Sequence, residues 1–144
     1  MAAWEALGIT RISGRPFPEA ERDQDVSLLL PAGRFGPAFL VTPNFYVLKD
    51  YNRSDLYALF VGNAGDRIEW GVGAFRAGWG DIATMYRSDI KTIQTALEGK
   101  GHDVGGADGL PGYKTRRSIG QWQAGNGTPE TCFPSTALLG QITR

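Results

Sequence analysis

Two phenols, an amide and a hydroxyl stand close together in Tyr51-Asn52-Arg53-Ser54-Asp55-Leu56-Tyr57-Ala58. Phenol rings stack on the apolar faces of sugars, and polar tips such as the Asn52 amide hydrogen-bond to sugar hydroxyls, so the stretch suits a carbohydrate cleft. The same residues also read as a well-capped helix whose tyrosines belong to the core. Ser54 can cap that helix, because its hydroxyl accepts from the free N–H groups of the first turn, and Asp55 adds negative charge where the helix dipole is positive. Tyr57, Val61, Ala64 and Ile68 recur at helical spacing and predict one apolar face on a helix reaching about Ile68.

A second group is Asp108-Gly109-Leu110-Pro111-Gly112-Tyr113-Lys114-Thr115. Its glycines permit positive φ, the Asp108 side chain can accept from nearby backbone N–H groups, and Thr115 can fold back onto the same turn. That is first of all a structural role. Cys132 is the single cysteine, so no intramolecular disulfide and no thiolate metal cluster can form. Its Thr-Cys-Phe-Pro setting marks a small residue under a loop rather than a nucleophile. His102 is the single histidine, sits among glycines, and has no nucleophile motif to serve. No cofactor is implied, and no His/Cys/carboxylate spacing suggests a metal.

Fifteen basic and fifteen acidic residues cancel, which removes the electrostatic reason to expect nucleic acid or an anionic membrane as main partner. A helix-turn-helix reading of the segment containing Lys114, Arg116 and Arg117 also fails, because the connection over residues 99–112 is far longer than the turn of that motif. A hydrophobic share of 42% is enough for a folded core, while twenty glycines and eight prolines predict many turns and short elements. The first residues lack the basic and apolar regions of a signal peptide, and no apolar run is long enough to span a bilayer.

The elements that must position these groups follow from periodicity. Residues 2–7 predict a helical turn ended by Gly8, and residues 9–12 alternate as a short strand would. Residues 26–30 and 38–41 are short apolar runs joined by a Pro- and Gly-containing segment, which predicts a hairpin. Asn44 is placed to cap a short helix bearing Phe45, Leu48 and Tyr51 on one side. From residue 69 to 86 periodicity fails, and glycines interleave with Trp70, Phe75 and Trp79; such frequent aromatics predict a linker packed against a neighbour rather than a solvated tether. Ser88 and Asp89 predict the next helix start, with Ile90, Ile93, Ala96 and Leu97 inward and Gly99 and Gly101 ending it. Further helices are expected near Tyr113, carrying Ile119 and Trp122, and after Pro134-Ser135, with Leu138, Leu139 and Ile142 inward.

The motif Tyr51-Asn52-x-Ser54-x-x-Tyr57-Ala58 resembles the last consensus motif of the membrane-bound lytic transglycosylase B type of murein hydrolase. The similarity extends upstream through Leu28-Leu29-Leu30-Pro31-Ala32-Gly33, Gly36-Pro37-Ala38-Phe39-Leu40 and Pro43-Asn44-Phe45. Separately, residues 108–115 with Ile119 and Trp122-Gln123 resemble the peptidoglycan-binding type 1 domain. There Tyr113-Lys114 stands where small or polar residues are common, and Thr131-Cys132-Phe133-Pro134 replaces a glycine-containing turn. Members of the transglycosylase family often carry the two pieces in this order.

The resemblance implies a mainly α fold with a small β-hairpin (α+β). A lysozyme-like catalytic-domain remnant would occupy residues 1–68, a Gly- and aromatic-rich linker 69–87, and a three-helix peptidoglycan-binding module 88–144. It implies that Tyr51, Asn52, Ser54 and Tyr57 line a glycan cleft, that Asp108, Gly109, Tyr113 and Thr115 serve the binding module, and that Trp122 supports its core. The implied partner is peptidoglycan, through its glycan strands or stem peptides, in the periplasm or cell envelope.

The family's general acid is a Glu that precedes a Ser on an upstream helix; it protonates the glycosidic oxygen while the muramic C6 hydroxyl attacks, giving a 1,6-anhydro sugar. No Glu-Ser pair occurs in these 144 residues. The expectation is therefore a peptidoglycan binder without turnover of its own. The alternatives are the C-terminal part of an active transglycosylase whose Glu-bearing lobe is supplied separately, and a relic without function.

Overall fold

The computed structural model of the chain describes residues 1–71, 73–75, 78–80, 82 and 84–144. Val72, Arg76, Ala77, Asp81 and Ala83 fall in the expected linker and lie outside the described residues. The fold is mainly helical with one small hairpin, as expected. Helices α1 (Ala2–Ala6), α2 (Pro43–Tyr51), α3 (Asp55–Trp70), α4 (Arg87–Gly99), α5 (Tyr113–Gly125) and α6 (Thr136–Ile142) accompany strands β1 (Ser27–Leu29) and β2 (Phe39–Val41). The chain divides into two compact units, one of Met1–Leu29 with Ala38–Gly78, the other of Leu30–Pro37 with Trp79–Arg144.

In the first unit β1 and β2 pair antiparallel, with Ser27 opposite Val41 and Leu29 opposite Phe39. Alternation sends Leu29 and Val41 inward, where they meet Phe45 of α2 and Ala58 of α3, with Phe39, Leu48 and Leu59 packed around them. Phe75, one of the aromatics past α3, packs its ring edge-on to Phe39 at 5.2 Å between centroids. The alternating residues 9–12 form no strand: Ile9 and Ile12 are exposed, because no neighbouring backbone offers them a ladder. Helix α2 begins at Pro43 with Thr42 as its cap, not at Asn44; proline suits the first helical position, where its missing N–H removes a donor that would otherwise lack a partner.

The expected apolar face of α3 is also corrected. Ala58 is the buried residue on this helix, whereas Ile68 is 88% exposed and Tyr57, Val61 and Ala64 are half-buried. The helix continues two residues past Ile68 and stops where Gly71 adopts φ 62°, a left-handed conformation that glycine takes without a Cβ penalty.

The second unit is built on Ile93, Leu97, Val104, Ile119, Leu138 and Ile142, with Met85, Ala96, Trp122 and Leu139 against them. The apolar face expected for α4 supplies Ile93 and Leu97, both fully buried. Burial of each such side chain stabilises by roughly 1.5–3 kcal/mol. Helix α4 starts one residue before Ser88: Asp89 accepts from the Tyr86 N–H at 3.1 Å, so the carboxylate reaching back fixes the entry and the Ser88 hydroxyl is not used as the cap. Helix α6 starts after Pro134-Ser135 as expected, and Ser135 caps it, accepting from the Leu138 N–H at 3.1 Å.

Segment Leu30–Pro37 packs within this second unit. The Arg34 N–H donates to the Thr131 carbonyl at 2.9 Å, and Gly33 sits at φ 56° directly against that same carbonyl. Trp79 lies against Gly36, where any Cβ would fall 2.9 Å from its ring. Cys132 has φ 55°, in the region that favours glycine. Its thiol lies against Gly120 of α5, and burial pushes it above its ordinary value.

Candidate glycan site and the Asp108 turn

The α2–α3 junction gathers the first group of predicted residues within one tight turn. Helix α2 ends at Tyr51, and the Asn52 N–H donates to the Leu48 carbonyl at 3.2 Å. Asn52 Oδ1 then accepts from the Ser54 N–H at 3.0 Å, and Ser54 Oγ accepts from the Tyr57 N–H at 3.3 Å. These two bonds orient the start of α3 and use the oxygen of the Asn52 amide. Lys49 of α2 pairs with Asp55 of α3 at 2.5 Å, with both side chains largely shielded from water. The junction is thus held from two sides.

On this frame the Tyr51 and Tyr57 rings lie 6.0 Å apart between centroids and 32° from parallel. Tyr51 is 84% exposed and Tyr57 half-buried. A half-anchored and a free phenol beside the Asn52 amide offer a stacking surface with hydrogen-bond donors at its rim. Removing the cap with Ser54→Ala is expected to cost about 1 kcal/mol and to loosen the first turn of α3. Faster amide exchange at Tyr57 in the variant, with the second unit unaffected, is the result that checks this.

The second group forms a network around a residue that sequence reading missed. Gln94 of α4 is fully buried. Its Nε2 shares two hydrogens among Asp108 Oδ1 at 3.2 Å, the Leu110 carbonyl at 3.0 Å and Thr115 Oγ1 at 3.0 Å, and its Oε1 accepts from the Gly109 N–H at 2.7 Å. Thr115 in turn donates to the Val104 carbonyl at 3.2 Å, and Ser118 to the Asp103 carbonyl at 2.7 Å. The signal was present in the sequence: Gln94 is a polar residue four after Ile90, on the helix face shared by Ile93 and Leu97.

Thr115 and Gly109 are therefore interior parts of the turn, whereas Asp108 and Tyr113 face outward. Gly109 has φ 78° and lies so close to Arg87 that a Cβ would stand 2.6 Å from its carbonyl oxygen. Arg87 Nε also donates to the Asp108 carbonyl at 2.8 Å, closing the turn from outside. Tyr113 is exposed, with the Arg117 guanidinium 5.6 Å above its ring. Nearby, an apolar hollow of about 180 Å³ is lined by Ile82, Met85, Ile90, Pro111, Phe133 and Pro134.

The Leu110 N–H bound to its carboxylate holds Asp108 below its ordinary pKa of 3.8, with Gln94 adding to the effect. A depressed folded-state pKa contributes stability above the unfolded value and loses it as pH falls through the folded one. Stability of the second unit is expected to be flat above about pH 5 and to decline below about pH 4. Asp108→Asn should flatten that decline in acid unfolding curves.

None of the glutamates lies in an apolar wall at either group. Glu5 pairs with Arg22 at 3.1 Å and Glu19 with the same guanidinium at 3.3 Å, Glu21 ends the short turn Glu19–Glu21, and Glu69, Glu98 and Glu130 are exposed. Among the described residues no three His, Cys, Asp or Glu side chains cluster as a metal site, and no helix is long and apolar enough to cross a membrane.

Residues 1–66, which hold the whole α2–α3 junction, match the family described as Transglycosylase SLT domain, so this part of the chain is similar to a transglycosylase domain. The chain is also similar to SltB3 from Pseudomonas aeruginosa. In complex with NAG-anhNAM-pentapeptide, SltB3 is 37% identical over 99% of this chain, with a TM-score of 0.83. In complex with NAG-NAM-pentapeptide it is 38% identical over 98%, with a TM-score of 0.77. The chain spans 38% of the length of each of those structures. No curated protein matches the chain.

Proposed function

We propose that the chain binds peptidoglycan and, as these 144 residues stand, does not cut it. The observation that carries this is the likeness over nearly the whole chain to SltB3, a protein crystallised with peptidoglycan fragments. In this reading residues 1–68 are the distal part of a transglycosylase-like catalytic domain, 69–87 a linker, and 88–144 a three-helix peptidoglycan-binding module. Tyr51 and Tyr57 stack on a sugar and the Asn52 amide donates to it. Asp108 and Tyr113 meet glycan or stem peptide at the outer face of the turn that Gly109 and Thr115 shape. Cleavage by the family's route needs a carboxylic acid kept protonated in an apolar wall; Glu5 and Glu19 are paired with Arg22, Glu21 sits in the short turn with Glu19, and Glu69, Glu98 and Glu130 are exposed. Such a protein works at the cell wall, in the periplasm or envelope.

The experiment is titration of the chain with a soluble NAG-NAM-pentapeptide, followed by amide chemical shifts. Shifts at 51–57, at 108–113 or at both are expected, and Tyr51→Ala and Tyr113→Ala should each weaken the part they touch by about tenfold, the scale of a lost stacking contact. A spectrum unmoved by the fragment would leave the chain a relic.

A second reading makes the chain the C-terminal part of an active transglycosylase that cleaves MurNAc–GlcNAc bonds once a Glu-bearing lobe is supplied. It draws on the 38% share of SltB3 that the chain spans. It predicts release of 1,6-anhydro products only when that lobe is added.

A further inference from the structure

The hollow of about 180 Å³ beside the Asp108 turn is apolar throughout. Ile82, Met85, Ile90, Pro111, Phe133 and Pro134 line it, and none of these six described residues carries an N–H or O–H on its side chain. Much of the backbone around it is already partnered. The Ile90 N–H donates to the Tyr86 carbonyl at 3.2 Å, the Pro111 carbonyl accepts from Arg116 Nη1 at 2.8 Å, and the Phe133 carbonyl accepts from Thr131 Oγ1 at 3.4 Å. Pro111 and Pro134 have no N–H to offer. A sugar pressed into this hollow would leave its hydroxyls without partners, and each such group costs free energy. A small apolar side chain meets no such cost, and a dry apolar cavity of about 150 Å³ holds a molecule the size of benzene.

The edge of the hollow is cationic, although the chain as a whole carries no net charge. Arg87 Nε donates to the Asp108 carbonyl at 2.8 Å and Arg116 to the Pro111 carbonyl, so one guanidinium is fixed at each end of residues 108–111. Arg87 is exposed and stands three residues before Ile90 on α4, hence beside it on the helix surface. The carboxylate of Asp108 is engaged by the Leu110 N–H at 2.8 Å and by Gln94 Nε2. An apolar cup with a guanidinium at its rim complements a small apolar side chain next to a free carboxylate, the combination found at the C-terminal residue of a short peptide. We infer that the hollow is the pocket for the C-terminal residue of a peptidoglycan stem peptide, its side chain inside and its carboxylate toward Arg87. The inference rests on the reading that the outer face of the Asp108 turn meets peptidoglycan, and it narrows that reading from glycan or peptide to peptide.

The test is titration of the 144-residue chain with a free stem pentapeptide, with NAG-NAM-pentapeptide and with a NAG oligosaccharide. It reads the side-chain methyl signals of Ile82, Met85 and Ile90 alongside the amides of residues 108–113. Both peptide-bearing probes are expected to move the methyl signals, and the NAG oligosaccharide to leave them in place. Ile90→Phe, which fills the hollow, should weaken pentapeptide binding about tenfold, the scale of a missing methyl site in an apolar pocket. A pentapeptide whose terminal carboxylate is converted to the amide should bind the unaltered chain about threefold more weakly, the scale of one partly exposed charge pair. Methyl signals that move as far with the oligosaccharide as with the peptide would overturn the inference, as would unchanged affinity for both the filled variant and the amidated peptide. If NAG-NAM-pentapeptide moves the amides of 108–113 but none of the three methyl signals, the peptidoglycan reading of the turn stands and the pocket falls. If it moves neither, both fall.

Discussion

Gln94→Leu is expected to cost the second unit about 3–5 kcal/mol, enough to unfold a large part of it at ambient temperature. The side chain is fully buried and makes four hydrogen bonds, to Asp108, Gly109, Leu110 and Thr115. Leucine fills nearly the same space, so little cavity opens. What changes is that the buried Gly109 N–H loses its acceptor and the buried Thr115 hydroxyl its donor, where water does not replace them, and the part-buried Leu110 carbonyl loses the same donor. A buried polar group stripped of its partner costs about 1–3 kcal/mol, and at least two are stripped here. Gln94→Glu separates geometry from charge: the carboxylate still accepts from Gly109 but meets Asp108 Oδ1 without a donor. Urea unfolding followed through Trp122 fluorescence checks both variants. A loss below about 1 kcal/mol in Gln94→Leu would mean that the turn is held by something other than this network.

Gly33→Ala is expected to destabilise the second unit by about 2–4 kcal/mol, although Gly33 lies in the N-terminal third of the chain. Its φ of 56° disfavours any side chain, and an added Cβ would collide with the Thr131 carbonyl and stand 2.9 Å from that of Cys132. Both obstacles are backbone, which cannot rotate away as a side-chain end can. The Arg34–Thr131 hydrogen bond sits beside the collision and would be lost with it. Hydrogen exchange read separately in α2–α3 and α4–α6 checks the assignment. Faster exchange in α4–α6 with α2–α3 protected is the expected pattern, and the reverse would place Leu30–Pro37 with the first unit instead.

These two positions mark where the sequence stopped being legible. Short-range features could be read directly: Ser54 caps α3 because its hydroxyl bonds within three residues, and α6 starts after Pro134-Ser135. Ile93 and Leu97, Ile119, and Leu138 and Ile142 follow helical periodicity into one core. The hairpin followed from two apolar runs around a turn-rich segment. What Gly33 touches lies about a hundred residues away, and no local pattern encodes that distance. Asn44 and Ser88 were displaced as caps by neighbours, Pro43 with no N–H to satisfy and Asp89 reaching back to Tyr86. The α3 face was misread for a different reason. Leu56, Phe60, Ile68 and Ala58 give the helix apolar residues on more than one side, and periodicity cannot tell which side has its partner present.

The candidate residues divide in the same way. Tyr51, Asn52, Ser54 and Tyr57 are neighbours in sequence and fall together in one turn. Asp108 was legible as a turn residue and Tyr113 as a helix start, and both face outward, but the interior positions of Gly109 and Thr115 depend on Gln94, which lies on another helix.

The central claim, binding without cleavage, is tested most directly by pelleting the 144-residue chain with insoluble peptidoglycan and assaying the same supernatant for anhydro-muropeptides. The account predicts that the chain enters the pellet and that no anhydro product appears. Release of anhydro-muropeptides by the chain alone would contradict it, since one of its own glutamates would then have to be the acid. A chain that stays in the supernatant would contradict the binding itself.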